Sequence, residues 1–199
     1  VSDWSSDVCS SDLGANDWID WGQFGGNLTE INSGSAGVTA KGIGFRVYST
    51  DYWGVNDGGK LQILQEGEDL FAGYEPGTLA LAMLDREGAI RIDFDVAVGG
   101  VGSDSRTNRF GGFQTDMSFY GTSGFLGDLW RLGSSGPIFV GGVSDSFDIK
   151  TVYFAPFMLE GQESWGHTLN SVSVVNPVPE PATCAALADR KSTRLNSSH

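Results

Sequence analysis

Apolar and polar side chains alternate along much of this chain. Ile90, Ile92, Phe94, Val96 and Val98 alternate with Arg91, Asp93, Asp95 and Ala97. A two-residue period puts the first set on a core face and the second toward water. Phe113, Thr115, Met117 and Phe119 repeat the pattern, and Gly121-Thr-Ser-Gly124 then reads as a hairpin turn. Phe125 to Leu132 returns as its partner, Gly133 to Gly136 turns again, and Pro137 to Val140 reads as a short buried strand. After a polar loop over Ser144 to Asp148, Ile149 to Phe157 is the next strand, with Pro156 marking its end or an edge. Leu169 to Val175 is the last strand. Earlier in the chain, Ile43 to Tyr48 and Leu61 to Leu64 read as strands. Thr78 to Leu84 (TLALAML) fits strand or helix by period, and its β neighbours favour strand. Strands at intervals of roughly ten residues, joined by hairpin turns, predict an all-β fold. The expected architecture is an antiparallel two-sheet sandwich, jelly-roll-like, with an extended Pro-rich C-terminal stub.

Composition supports an ordered β domain. The chain has 29 glycines against 6 prolines, with 12 phenylalanines and 6 tryptophans. Such aromatic content argues against disorder. A net charge of −13 excludes a nucleic-acid footprint, which must be basic. It suits an exported surface protein that meets divalent cations. No apolar run reaches the length of a membrane span.

The two ends read differently from the body. Asp3 to Asp12 (DWSSDVCSSD) and Asp189 to Ser198 (DRKSTRLNSS) can be encoded by two DNA strings of which the second, from its second base onward, is the reverse complement of the first. That relation is expected of a library adapter translated in both orientations. Residues 1–13 and 189–199 are therefore read as adapter-derived and not native, on a gene cut at both sides. Residues 14–175 form the β-sandwich domain, and 176–188 a linker and stub. Cys9 lies in the leading adapter segment and Cys184 in the stub, so the body has no disulfide and no Cys-based metal site. His167 is its only histidine.

Asn176-Pro177-Val178-Pro179-Glu180-Pro181 cannot sustain helix or ladder, because each proline fixes φ and removes a donor. An apolar segment, Ala182-Thr-Cys-Ala-Ala-Leu-Ala188, follows. Val178, Pro179, Glu180 and Pro181 running into this segment resemble the opening of the PEP-CTERM protein-sorting signal. The resemblance implies export, processing by an exosortase, and a place at the cell surface or in the extracellular matrix of a Gram-negative bacterium. It also implies only transient membrane contact, through a C-terminal helix whose remainder is missing here. The body is similar to a recurrent domain of such proteins. The likeness rests on Asp20-Trp21-Gly22-Gln23-Phe24-Gly25, on Ile92-Asp-Phe94, on Ala97-Val98-Gly-Gly-Val101-Gly102, and on Ile138-Phe139-Val140-Gly-Gly-Val143 through Ile149 and Val152. It carries no catalytic residue across.

Candidate chemistry in the body is sparse. His167 lacks a Ser or Cys partner motif, and no Gly-x-Ser-x-Gly elbow is present, so it reads as a structural or surface histidine. Asp93 and Asp95 sit two apart on one strand face, whereas glycosidases place their carboxylates across a cleft. Gly100-Val-Gly102 lacks the lysine and helix of a nucleotide loop. Asn27-Leu-Thr29 is a glycosylation sequon, idle in a bacterium. No cofactor is implied. Calcium is the one metal the residues suggest, through the oxygen-rich loop of Asp145, Ser146 and Asp148, and through Asp104, which follows Gly-rich sequence; an ordinary Asx turn is the alternative. Among Trp18, Trp21, Trp53, Tyr52 and Trp165, core or edge packing accounts for most. Tyr52-Trp53, in a Gly/Asp-rich loop, is the candidate sugar platform. The reading is a secreted, non-enzymatic surface or matrix protein with exopolysaccharide as its candidate ligand. A polysaccharide hydrolase or lyase module and a structural adhesion module are the alternatives.

Overall fold

A computed structural model describes residues 13–51, 60–70, 72–84, 88–107, 112–134, 136–158 and 166–177. In chain order the strands are β1 (Asp17–Ile19), β2 (Thr29–Asn32), β3 (Ser35–Val38), β4 (Gly44–Thr50), β5 (Lys60–Gln65), β6 (Leu79–Leu84) and β7 (Ala89–Val98). They continue as β8 (Gly100–Thr107), β9 (Phe113–Gly121), β10 (Gly124–Gly133), β11 (Ile138–Val143), β12 (Ile149–Met158) and β13 (Gly166–Val175). One sheet runs β11-β8-β13-β6-β5-β2, with β1 also pairing to β13; the other runs β10-β9-β12-β7-β4-β3. Each of these strand pairs is antiparallel. From β6 onward the chain changes sheet at every connection except the β9–β10 hairpin, which is jelly-roll-like traffic.

The alternation places the core as expected. Ile90, Ile92 and Phe94 of β7, Met117 and Phe119 of β9, and Val152 and Phe154 of β12 face Leu61, Ile63, Leu81, Met83, Leu169 and Val172 of the opposite sheet. Each such side chain contributes about 1.5–3 kcal/mol by burial. Val96 departs from the expected pattern and is largely exposed. The β12–β7 register jumps from Ile149 opposite Val98 to Thr151 opposite Asp93, and this irregularity turns Val96 away from the core.

Pro156 neither ends β12 nor lies on an outer strand. β12 is central, between β9 and β7. Its pairing with β7 stops at Phe154–Ile90, while its pairing with β9 continues to Met158–Phe113. Pro156 thus falls where β12 pairs on one side only, opposite Thr115, a local edge at which a residue without an N–H is tolerated.

Strand β8 carries no period-2 signal, because it is buried on both faces. A Cβ on Gly102 would lie 2.5 Å from the Phe139 ring, so small residues let β11 pack closely there. Buried Asp17 is fully paired. Asp17 accepts from the Thr39 hydroxyl (2.5 Å), the Lys41 N–H (2.8 Å) and the Asn176 amide (3.2 Å), tying the first strand to the end of the last. Trp21 opens a short 3₁₀ turn, is fully buried, and donates its indole N–H to Asn170 O at 2.7 Å. The sequence stretch from Asp20 to Gly25 is therefore a plug: Trp21, Phe24 and Phe45 form an aromatic cluster with ring centroids 6.2–6.3 Å apart.

The two outer faces differ. The β5–β6 connection folds back over part of the first sheet, packing Leu70, Ala72 and Tyr74 on Leu64, Ala80 and Ala82. Glu66 anchors it by accepting from the Ala72 and Gly73 N–H groups, and Arg106 donates to Ala72 O. The outer face of the second sheet keeps its large side chains accessible.

Candidate functional site

That second outer face is built from the polar phase of its strands. Each position follows from alternation with a buried neighbour: Tyr48 on β4, Arg91 and Asp93 on β7, Thr151 and Tyr153 on β12, Asp116, Ser118 and Tyr120 on β9. Phe125, Asp128 and Trp130 on β10 extend it to the sheet edge. Register aligns them across strands. Tyr48 stands opposite Arg91, Arg91 opposite Tyr153, and Tyr153 opposite Ser118. In the next row Asp93 stands opposite Thr151, Thr151 opposite Tyr120, and Tyr120 opposite Phe125.

The side chains in these rows touch. The Arg91 guanidinium carbon lies over two rings, 5.1 Å from the Tyr48 centroid and 5.7 Å from the Tyr153 centroid. Tyr153 meets Tyr120 edge-on at 5.5 Å, and Tyr120 meets Phe125 edge-on at 5.4 Å. The result is a continuous ribbon over β4, β7, β12, β9 and β10, crossing five strands. At a strand spacing of about 4.8 Å it is roughly 19 Å long. Phe125 and Trp130 are 58% and 56% exposed, large values for rings on a sheet surface.

Charges in the ribbon are neutralised locally. Asp93 grips Arg91 with both oxygens, at 2.8 Å to Nε and 2.6 Å to Nη2, and accepts the Thr151 hydroxyl at 2.8 Å. The Asp93 hydrogen bond holds the Arg91 pKa above its ordinary value, against partial burial. Burial raises the Tyr153 hydroxyl. Burial also raises the Asp116 carboxyl, and nearby Asp128 adds to this, while a 2.6 Å bond from the Gln114 amide opposes it.

The sequence candidates fall as follows. Tyr52 and Trp53 lie outside the described residues, as do Trp165 and Val178, Pro179, Glu180 and Pro181. Trp21 is core and Trp18 is exposed. Asp93 faces outward as expected, bound to Arg91 rather than simply solvated. Asp148 accepts the Ser144 hydroxyl at 2.5 Å within a turn closed by Phe147 N–H to Ser144 O, and Asp145 is exposed beside it. Among the described residues no cluster of three or more His, Cys, Asp or Glu suited to a metal is found, at this loop or elsewhere. Asp104, the other oxygen ligand weighed for calcium, sits within β8.

His167 does have a serine partner. Its Nε2 is 2.6 Å from Ser105 Oγ, which is 2.9 Å from Thr115 Oγ1. All three are buried, so no substrate reaches them. Burial lowers the His167 pKa to about 3. The group is a polar bridge between the sheets. A depression of about 590 Å³ between Leu132-Gly133-Ser134 and Gly136-Pro137-Ile138 offers one hydroxyl and no ionisable side chain among its described lining.

Sequence reasoning did not select Tyr48, Tyr120, Phe125, Trp130 or Tyr153. The available signal was an aromatic in the polar phase of several strands; only register shows that these aromatics are neighbours.

No protein-family model matches the chain, and no curated protein matches it. Solved structures similar to it include a family 6 carbohydrate-binding module from Clostridium stercorarium in complex with cellobiose, at 13% identity. That match covers 76% of this chain and 98% of that one, with a TM-score of 0.35. A low-affinity xylan-binding module from Roseburia intestinalis is 14% identical over 65% of this chain and 93% of that one, at a TM-score of 0.32. A family 11 carbohydrate-binding module from Clostridium thermocellum, in complex with a mixed-linked tetrasaccharide, is 7% identical over 82% and 97%, at a TM-score of 0.34. At such identities and TM-scores the likeness carries no activity or ligand over to this chain.

Proposed function

We propose that this chain is an exported, non-enzymatic protein that binds polysaccharide on the outer face of its β10-β9-β12-β7-β4 surface. The ribbon Tyr48–Arg91–Tyr153–Tyr120–Phe125 carries the reading. Sugars present C–H faces and hydroxyl edges together. Exposed rings take the C–H faces, and tyrosine hydroxyls with Asp93, Thr151 and Gln114 take the hydroxyls. A ribbon roughly 19 Å long suits several consecutive sugars rather than one terminal unit. The face carboxylates do not form an acid/base pair across a cleft: Asp93 is tied to Arg91 and Thr151, and Asp116 and Asp128 share one flat surface.

Delivery in this proposal depends on Pro179-Glu180-Pro181 as a PEP-CTERM signal read by an exosortase, with matrix exopolysaccharide as the ligand met on arrival. Affinity electrophoresis through gels containing the producer's exopolysaccharide tests the binding. Wild type is retarded, and Tyr120→Ala and Tyr153→Ala each weaken retention about tenfold, the worth of one ring in contact. Retention unchanged in both variants, with folding confirmed by circular dichroism, overturns the proposal. Sorting is tested separately on the parent gene, where about twenty apolar residues and an Arg cluster are expected after Ala188.

A further inference from the structure

The charges on this face select among polysaccharides. We infer that the ribbon takes uncharged polysaccharide and rejects polyanions, with Asp93 as the specificity-determining residue; the inference rests on the glycan-binding reading above. An anionic glycan, whether uronate, sulfate or phosphate ester, is recognised by cationic donors that present a free fork to it. Arg91 is the central cation of the ribbon, and its fork is already occupied. Nε and Nη2 are bound to the two oxygens of Asp93 at 2.8 and 2.6 Å. Its flat faces are covered by Tyr48 and Tyr153.

Other charges reinforce this. Arg46, the next cation on the face, stands opposite the same Asp93 in register. Lys150, beside the face, donates to the Asp95 carbonyl. Asp95 lies over Gly44, and Asp116 and Asp128 occupy adjacent strands near Trp130. The chain as a whole carries −13. A polyanion approaching this surface therefore meets net repulsion and a central guanidinium already held by Asp93. An uncharged chain meets a neutral ribbon whose Arg91 serves as a flat plate between two rings rather than as a charge.

The test uses the full chain in affinity gels with hydroxyethylcellulose, mixed-linkage β-glucan and glucomannan on one side, and alginate and polygalacturonate on the other. Wild type is expected to bind at least one uncharged polymer, with little change between low and high salt, and neither polyanion. Asp93→Asn frees the Arg91 fork and is expected to raise alginate retention about tenfold at low salt, the worth of one charge-assisted contact, with the gain abolished by high salt. Tyr153→Ala provides the second variant, and is expected to weaken binding to the uncharged polymer without gaining alginate binding. Wild-type preference for alginate or polygalacturonate overturns the inference while leaving glycan binding in place. Asp93→Asn folding normally and gaining no alginate binding removes Asp93 from the specificity role. Retention by no polymer in either group, nor by the producer's own polysaccharide, overturns the glycan reading itself.

Discussion

Acid stability offers a sharp test of the interior, through His167. Its ring is fully buried; Nε2 contacts Ser105, and Nδ1 has no partner among the described residues. Protonation would place a cation in the core with one donor unsatisfied, and desolvation lowers its pKa from 6.5 to about 3. A basic group whose folded pKa is depressed leaves the unfolded chain binding more protons below pH 6.5. Stability is therefore full above that pH and falls as pH drops toward about 3. The slope is about 1.4 kcal/mol per pH unit, so two units below 6.5 the loss is about 3 kcal/mol. That is a large share of the roughly 5–15 kcal/mol that holds a domain together. Asp104 and Asp116 act in the opposite sense: burial raises their carboxyls, so their contribution is full in acid and is lost as pH rises through the folded value. The comparison must therefore be made against a variant. His167→Gln keeps a polar end near Ser105 and cannot be protonated. Urea denaturation at pH 7.5 and 4.5 should show wild type losing about 3 kcal/mol more than His167→Gln between the two conditions. Equal losses in the two proteins would refute the assignment of His167 as a buried neutral base.

Two further predictions concern packing. Trp21→Ala removes the ring that contacts Phe24 and Phe45 and the bond to Asn170 O, and should cost about 3–5 kcal/mol in chemical denaturation; a cost below about 1 kcal/mol would show that the plug is peripheral. Gly88→Ala drives a methyl group into the Thr50 carbonyl and should destabilise by more than about 2 kcal/mol, whereas Gly26→Ala, with open space around its Cβ, should stay within about 0.5 kcal/mol; equal thermal midpoints would contradict the close β4–β7 approach.

The parts of the fold that sequence could show are those where burial is one-sided. β7, β9 and β12 each bury one face and wet the other, so their alternation is explicit, and the turn at 121–124 separates β9 from β10 as expected. β6 was ambiguous by period because four successive residues are buried, Ala80 to Met83, with one phase in the main core and the other under the β5–β6 connection. β8 was hidden for the same reason carried further. Its Gly-Val-Gly-Ser start looks like a loop by propensity, yet the small residues are required by Phe139 and Val175 packing close to the backbone. Strands β1, β2 and β3 are three or four residues long, too short for any period to emerge.

The site was less legible than the fold, because it depends on register rather than on any one strand. Tyr48, Tyr120 and Tyr153 each sit among polar residues of separate segments, and each alone is an unremarkable half-exposed aromatic. Two facts join them: β12 lies between β9 and β7, and β7 lies between β12 and β4. Neither order follows the sequence, since β7 and β12 are far apart in the chain. A one-residue slip in any of these pairings would send an aromatic inward and break the ribbon. Core residues Ile90, Ile92, Val152 and Phe154 therefore do more than stabilise. By burying the opposite phase, they hold Arg91 between Tyr48 and Tyr153. The outward phase is accordingly under a different constraint from the inward one, and its aromatic and paired-charge content is where selection for a ligand would be written.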